Sequence, residues 1–243
     1  MLNFQWLIIL GFWLLDKLEQ ASPALSTLSL LSLKDGSPTA LRSIHLLLVA
    51  VSLKISGGAN LPFVLRDVMG LEPEKFNGCS TEDIVSAALG HIREKYKFDP
   101  KDPLNFGEEH FNTDPTLSEK ALCLVYIIDA STVNFTDDKL IEKLTAIRLK
   151  LREKGIPQVI VMTKVDEACP LVKKDLKKVH YSAKIREKMQ MCSDKVGVPM
   201  NSIFPVKNYH EEIDTNDTID VLILKAIEQI VYNADDRLRD GAI

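Results

Sequence analysis

PQVIVMTKVD, residues 157–166, joins an apolar run rich in valine and isoleucine to a Thr-Lys-x-Asp sequence. A short apolar run of this kind is typical of a strand that is buried on both faces of a sheet. In sheets of parallel strands, ligand-binding residues lie beyond the carboxyl ends of the strands. The stretch therefore predicts a buried strand that carries Thr163, Lys164 and Asp166 at its end.

The same alternation of apolar runs and helical spacing continues on both sides of this stretch. The predicted strands are LPFVLRDV (61–68), ALCLVYIIDA (121–130), PQVIVMTKVD (157–166) and NSIFPVKNY (201–209). The predicted helices are TEDIVSAALGHIREKY (81–96), DDKLIEKLTAIRLKLREKG (137–155), PLVKKDLKKVHYSAKIREKMQM (170–191) and TIDVLILKAIEQIVYNADDRL (218–238). This order predicts an α/β fold with three layers, in which a parallel sheet is covered by helices on both faces.

Residues 1–52 lack this pattern, and we expect an irregular or replaced N-terminal segment there, followed by an α/β domain over 53–243. The apolar start predicts a helix over 2–19, but it lacks a basic flank and is shorter than the roughly 20 residues that span a bilayer. We therefore do not expect a membrane partner. Residues 44–55 predict one buried strand or a short helix. Without such a strand beside it, the 61–68 strand would expose a long apolar edge.

The overall charge restricts the class of partner. The formal net charge is −4 at pH 7, so the chain has no overall basic field that would attract nucleic acid. We expect no nucleic-acid partner, while a protein partner cannot be identified from the sequence.

Two strand ends carry residues that nucleotide-binding folds use. Asp67 and Gly70 form a D-x-x-G sequence, which alone is a weak signal. The T-K-x-D sequence is more specific, because a carboxylate such as Asp166 can accept two hydrogen bonds from N1–H and the exocyclic amine of guanine. Lys207 and Asn208 follow the last predicted strand, and we prefer them for the second base-contacting loop. The S-A-K sequence at 182–184 resembles such a loop but has no strand before it.

A longer series of motifs resembles one family. They are DVMGLE (67–72), TEDI (81–84), HIREKYKFDPKDPL (91–104), YIIDAST (126–132), VIVMTKVDEAC (159–169), VGVPMNSIFPVKNY (196–209) and NADDRL (233–238). From about residue 53 to 240 the chain resembles the interferon-induced protein 44 family, whose G domain is similar to dynamin-type GTPases. The resemblance implies a cytoplasmic protein of the innate antiviral response that binds GTP and magnesium. It also implies that Asp67 and Gly70 serve the metal and γ-phosphate, and that Thr163, Lys164 and Asp166 serve guanine.

The chain departs from this pattern at the phosphate loop. G-x-x-x-x-G-K-[ST] holds phosphates through backbone N–H groups and a lysine, and this sequence contains no Gly-Lys pair. Losing several charged hydrogen bonds costs about 5 kcal/mol or more of binding free energy. We therefore expect an incomplete P-loop GTPase-like domain with a retained guanine half, impaired hydrolysis and no assigned catalytic residue. The alternative is a nucleotide-free protein-interaction module, tethered to a membrane through the N-terminal apolar segment.

Overall fold

The computed structural model describes residues 79–93, 96–99, 102–133, 137–210 and 212–240, together with strand backbones at 7–11, 46–47, 49–54 and 60–68. The strands are β1 (Leu7–Gly11), β2 (Leu46–Leu47), β3 (Val49–Lys54), β4 (Asn60–Val68), β5 (Lys97–Phe98), β6 (Cys123–Asp129), β7 (Gln158–Thr163) and β8 (Ile203–Pro205). The helices are α1 (Thr81–Ala88), α2 (Asp138–Glu153), α3 (Val165–Ala168), α4 (Pro170–Lys174), α5 (Ala183–Val196) and α6 (Asp217–Arg239).

The main sheet has the strand order β3-β4-β1-β6-β7-β8. The three strands β6, β7 and β8 are parallel, whereas β1 runs antiparallel to both of its neighbours and β3 pairs antiparallel with β4. The prediction of an α/β fold is confirmed, but the sheet is parallel only in this half. Only five residues connect β3 to β4, which suits a hairpin, since a parallel connection needs a dozen or more.

Helices cover both faces of the parallel strands, as the alternating burial of β6 shows. Leu124, Tyr126 and Ile128 face the core formed with α1, α2 and α5. Cys123 and Val125 face the opposite side, where Ile230 and Ala234 of α6 pack against them. Side chains of successive strand residues point to opposite faces, so one strand contributes to both cores. The predicted three-layer arrangement is confirmed here.

The N-terminal expectations are partly corrected. Residues 7–11 form strand β1 and not part of a helix over 2–19; the other residues of that predicted helix lie outside the described residues. Periodicity alone cannot separate a buried strand from a buried helix in so short an apolar run. β3 pairs with β4 and supplies the strand that was required beside residues 61–68. The domain boundary at 52/53 stays a prediction, although β3 (Val49–Lys54) crosses it.

The first and third predicted helices, 81–96 and 170–191, are longer than the helices that the structure contains there. α1 ends at Ala88 and not at residue 96, because the chain reverses at Gly90 with φ +83°, where a Cβ atom would lie 2.8 Å from the Cβ of Pro115. The predicted helix over 170–191 is interrupted by Asp175 and Ser182, whose side chains accept hydrogen bonds from the backbone of Lys177 and Ile185. Such local hydrogen bonds compete with a continuous helix.

The second and fourth predicted helices are confirmed. α2 ends at Glu153 before Gly155, which has φ +67°, and α6 spans Asp217–Arg239. The side chain of Asn216 caps α6 by accepting hydrogen bonds from the backbone of Thr218 and Ile219.

Candidate functional site

Asp129 is the last residue of β6, and its carboxylate organises the turn that follows. Oδ1 accepts hydrogen bonds from the backbone N–H of Ser131 at 2.7 Å and from its hydroxyl at 2.6 Å. Oδ2 lies 3.4 Å from Nζ of Lys164, which follows the neighbouring strand β7. Both charged side chains are partly buried, with exposed fractions of 12% for Asp129 and 21% for Lys164. The ion pair therefore joins two strand ends at one edge of the sheet.

Lys164 has a backbone conformation that is unusual for a side chain of its size. Its φ is 54°, and no other non-glycine residue of the described ranges has a positive φ. A non-glycine residue in the left-handed region costs about 1 to 2 kcal/mol. Such strain is often found at functional sites, where the surrounding structure maintains it. Here it forms the turn between β7 and α3.

Thr163 lies just before this turn and connects it to β6. Its hydroxyl donates a hydrogen bond to the carbonyl of Ile128 at 3.4 Å, and its own carbonyl accepts one from the N–H of Ala130 at 3.0 Å. The residue is buried. Thr163 thus holds the ends of β6 and β7 together beneath Lys164.

Asp166 is the second residue of α3 and is 7% exposed. Within the part of the chain that the structure describes, no hydrogen bond or ion pair reaches its carboxylate. Its carboxylate oxygens themselves keep some contact with solvent, so a ligand could reach them. Asp166 therefore presents an acceptor that the described protein groups leave unused.

Lys207 and Asn208 follow β8 and lie beside the same turn. Val206 donates to the carbonyl of Met162 at 2.8 Å, and its own carbonyl accepts a hydrogen bond from Val165 at 3.4 Å. This pairing brings the start of the 207–212 loop next to Lys164. The loop after β8 and the turn after β7 therefore form one continuous surface.

The 207–212 loop is held by an ion pair between Lys207 and Glu212. Burial raises the pKa of Glu212, but hydrogen bonds from the Lys207 ammonium and from the backbone of His210 outweigh burial and lower this pKa to about 2. Glu212 is therefore ionised at neutral pH, and its charge compensates that of Lys207.

Asp129, Thr163, Lys164 and Asp166 form a cluster at one edge of the sheet, and Asp67 does not extend as far along its strand as this cluster. Ile8 of β1 pairs with Asp67 on one side and with Val125 on the other, so Asp67 lies four residues before the level of Asp129. Four residues correspond to about 13 Å along a strand. Gly70 lies outside the described residues. Among the residues that are described, no group of three or more His, Cys, Asp or Glu side chains could hold a metal ion.

The direction of β1 also bears on phosphate binding. β1 is central, but it runs opposite to β4 and β6, so its last residue, Gly11, lies at the edge away from Asp129. In P-loop proteins the phosphate-binding loop joins a strand to the helix N-terminus that receives the phosphates. A loop leaving β1 at Gly11 would start on the wrong side of the sheet for the cluster around Lys164.

The sequence prediction missed one member of the cluster. The sequence analysis assigns no role to Asp129, although this residue contacts Lys164 directly. Its position at the carboxyl end of a buried strand was the available signal. Ser182 caps α5 and follows a 3-10 helix over Leu176–Tyr181, so no strand precedes the S-A-K sequence, as expected.

Comparison with known proteins supplies the family. The chain is 32% identical over 183 residues to human interferon-induced protein 44, an alignment that covers 75% of the chain and 41% of that relative. This similarity supports the assignment of the chain to the interferon-induced protein 44 family. Other relatives are the mouse interferon-induced protein 44, 28% identical over 180 residues, and the human interferon-induced protein 44-like, 27% identical over 183 residues.

The family resemblance noted in the sequence is thereby confirmed. The chain spans about two fifths of the length of these relatives. No family model matches the chain, and no solved structure matches it. Within the described residues, every helix is too short or too polar to cross a membrane.

Proposed function

We propose that the edge formed by Asp129, Thr163, Lys164 and Asp166 recognises the base of a guanine nucleotide, while binding of its phosphates is weak. The chain would then be a GTPase-like regulator with impaired hydrolysis. The relatives are named as interferon-induced, and we extend that induction, a role in the innate antiviral response and a cytoplasmic location to this chain as part of the proposal.

The observation that carries the proposal is the carboxylate of Asp166, a residue that is only 7% exposed and whose carboxylate has no protein partner among the described residues. Guanine offers two parallel donors, N1–H and the exocyclic amine, and an ionised carboxylate accepts both. Adenine cannot form this pair of hydrogen bonds, because its N1 is an acceptor and not a donor. A site that is built to accept these hydrogen bonds leaves the carboxylate unpaired when the wrong base is present, which produces selectivity.

The neighbouring residues would position the base. The ion pair with Asp129 restrains Lys164, so the lysine stem can pack along a purine face. The loop that begins at Lys207 and Asn208 borders the same turn and can close over the other side of the base. Its ion pair to Glu212 restrains this loop before any ligand arrives.

The structure also gives reasons why the phosphates of the nucleotide would bind weakly. Asp67 lies short of the cluster and β1 runs in the opposite direction, so the described residues do not supply a magnesium site near Lys164. Loss of phosphate contacts worth about 5 kcal/mol shifts a micromolar dissociation constant into about the millimolar range. Phosphoryl transfer depends on the same positioning, so hydrolysis would be impaired as well.

The proposal is tested by exchanging the hydrogen-bonding character of Asp166. In Asp166→Asn the side chain can accept from N1–H but donates to the second position, which matches the carbonyl of xanthine in place of the amine of guanine. We expect isotope-labelled wild-type chain, titrated at millimolar nucleotide, to show saturable amide shifts near Lys164 with GTP but not with ATP. Asp166→Asn should lose the GTP response and gain one with xanthosine triphosphate.

Glu167→Gln provides the matched control, because Glu167 is exposed and adjacent to Asp166 on α3. It removes the same charge and should keep the GTP response. Equal responses to GTP and ATP, or a GTP response that survives Asp166→Asn, would contradict base recognition at this edge. No saturable response to any nucleotide would favour the protein-interaction module.

A further inference from the structure

A second candidate site lies at the opposite edge of the sheet. An open cleft of about 470 Å³ is bordered by Gln158 at the start of β7, by the turn at Gly197 after α5 and by Asn233 of α6. Small-molecule sites have volumes of roughly 300 to 1,000 Å³. Gln158 begins the strand that ends at Thr163, so the cleft is separated from Asp166 by the length of β7.

Two arginines give this cleft a positive charge. Arg148 and Arg152 line it from one turn of α2, and no lining residue is acidic. Neither guanidinium forms an ion pair or a hydrogen bond with the described residues. The Nε atom of Arg148 is buried and has no hydrogen-bond partner. Burying an N–H group without a partner is unfavourable, and an arginine fork is complementary to carboxylate and phosphate groups.

The fold holds the backbone of Arg148 in place and leaves room for its guanidinium. A Cβ atom at Gly197 would lie 2.7 Å from Nε and 2.8 Å from Cζ of Arg148, so a larger residue could not occupy this turn without displacing the guanidinium. Gln158 is fixed from both ends. Its Oε1 accepts a hydrogen bond from the Tyr126 hydroxyl at 2.6 Å, and its Nε2 donates to the carbonyl of Arg148 at 3.0 Å. The wall that carries Arg148 is therefore preorganised.

The remaining walls of the cleft indicate what the ligand carries besides an anionic group. Ile156, Pro157, Val198 and Pro199 supply an apolar wall, and Ser202 adds a hydroxyl. We propose that this cleft binds a small organic anion, with a carboxylate or phosphate group on Arg148 and Arg152 and an apolar body against the wall. This site is separate from the proposed guanine edge and does not depend on it.

Titration of the labelled chain in the absence of nucleotide tests the site. Phenyl phosphate should shift the amides of Gln158, Gly197 and Ser202 saturably, and benzoate shows whether a carboxylate serves as well as a phosphate. Inorganic phosphate should bind more weakly than phenyl phosphate, because it leaves the apolar wall uncovered. Arg152→Gln should weaken phenyl phosphate binding by about tenfold or more, the effect of losing a charged hydrogen bond.

Arg152 is exposed, so its replacement keeps the test interpretable even if Arg148→Gln fails to fold. Arg186→Gln, an exposed arginine eleven residues before Gly197 on α5, removes the same charge away from the cleft and should leave binding unchanged. Equal affinities for Arg152→Gln and Arg186→Gln would overturn the proposal. So would saturable shifts that map to another surface, or phenyl phosphate binding no tighter than that of inorganic phosphate.

Discussion

The main sheet has a parallel half, β6 to β8, and an antiparallel half, β3-β4-β1. The two halves belong to one layer but differ in whether their polar residues reach the edge that carries Asp129 and Lys164. In the parallel half, Asp129 ends β6, Lys164 and Lys207 follow β7 and β8, and all three lie at one edge. In the antiparallel half, Asp67 lies four residues short of that edge and β1 runs away from it. The proposed base site therefore needs only residues at individual strand ends, whereas a phosphate site depends on the direction of a central strand.

The largest expected effect tests whether the two halves share one core. Ile160 is fully buried in β7, and Ile160→Ala should lower the free energy of unfolding by about 2 to 5 kcal/mol through lost contacts and the cavity left behind. Leu149→Ala is the control, since Leu149 is 46% exposed on α2 and should cost about 0.5 kcal/mol or less. Urea unfolding followed in both halves should show one shifted transition. Two separate transitions would show that the halves unfold independently.

A smaller effect concerns the connection between the halves. Arg66 of β4 is buried and donates hydrogen bonds to the carbonyls of Ser118 at 2.9 Å and Glu119 at 3.3 Å. Arg66→Met should cost about 1.5 to 3 kcal/mol, the range for a hydrogen bond to a charged group. Hydrogen exchange of the β4 amides should accelerate, while Arg93→Met, at an exposed position, should leave it unchanged. Unaltered exchange in β4 would mean that Arg66 does not connect the halves.

The smallest effect is a pH dependence in the loop after β8. Because the pKa of Glu212 is lowered from 4.5 to about 2, its stabilising contribution is complete above pH 4.5 and disappears as the pH falls towards 2. Glu212→Gln should remove this acid-dependent part of the unfolding free energy, which we expect to be under about 1 kcal/mol for a partly exposed pair. Glu228→Gln, which breaks the exposed pair with Lys225, should keep the wild-type acid dependence. Equal acid dependence in wild type and Glu212→Gln would contradict this assignment.

Sequence patterns predicted the parallel half well for a physical reason. Strands such as β7 have a continuously apolar centre, residues 159–162, and end in polar turns, so both their type and the edge they point to follow from local sequence. Thr163, Lys164, Asp166, Lys207 and Asn208 were therefore predicted at neighbouring positions. Their roles in binding a base stay a prediction.

The antiparallel half could not be predicted in the same way. A five-residue apolar run such as residues 7–11 fits a strand or a helix, and nothing local specifies the direction in which it joins a sheet. The register that places Asp67 beside Ile8 depends on pairing between segments more than fifty residues apart. α1 is shorter than predicted because the chain reverses at Gly90 in a left-handed conformation close to Pro115, and helical periodicity does not reveal that packing.

Affinities for guanosine, GMP, GDP and GTP, measured in the presence of magnesium, would show whether the chain binds the base without binding the phosphates. If the chain recognises the base and lacks an assembled phosphate site, the four dissociation constants should agree within about threefold, a difference of less than 1 kcal/mol. Affinity that rises by tenfold or more from GMP to GTP would show that the chain binds the phosphates, and it would contradict base recognition without a phosphate site.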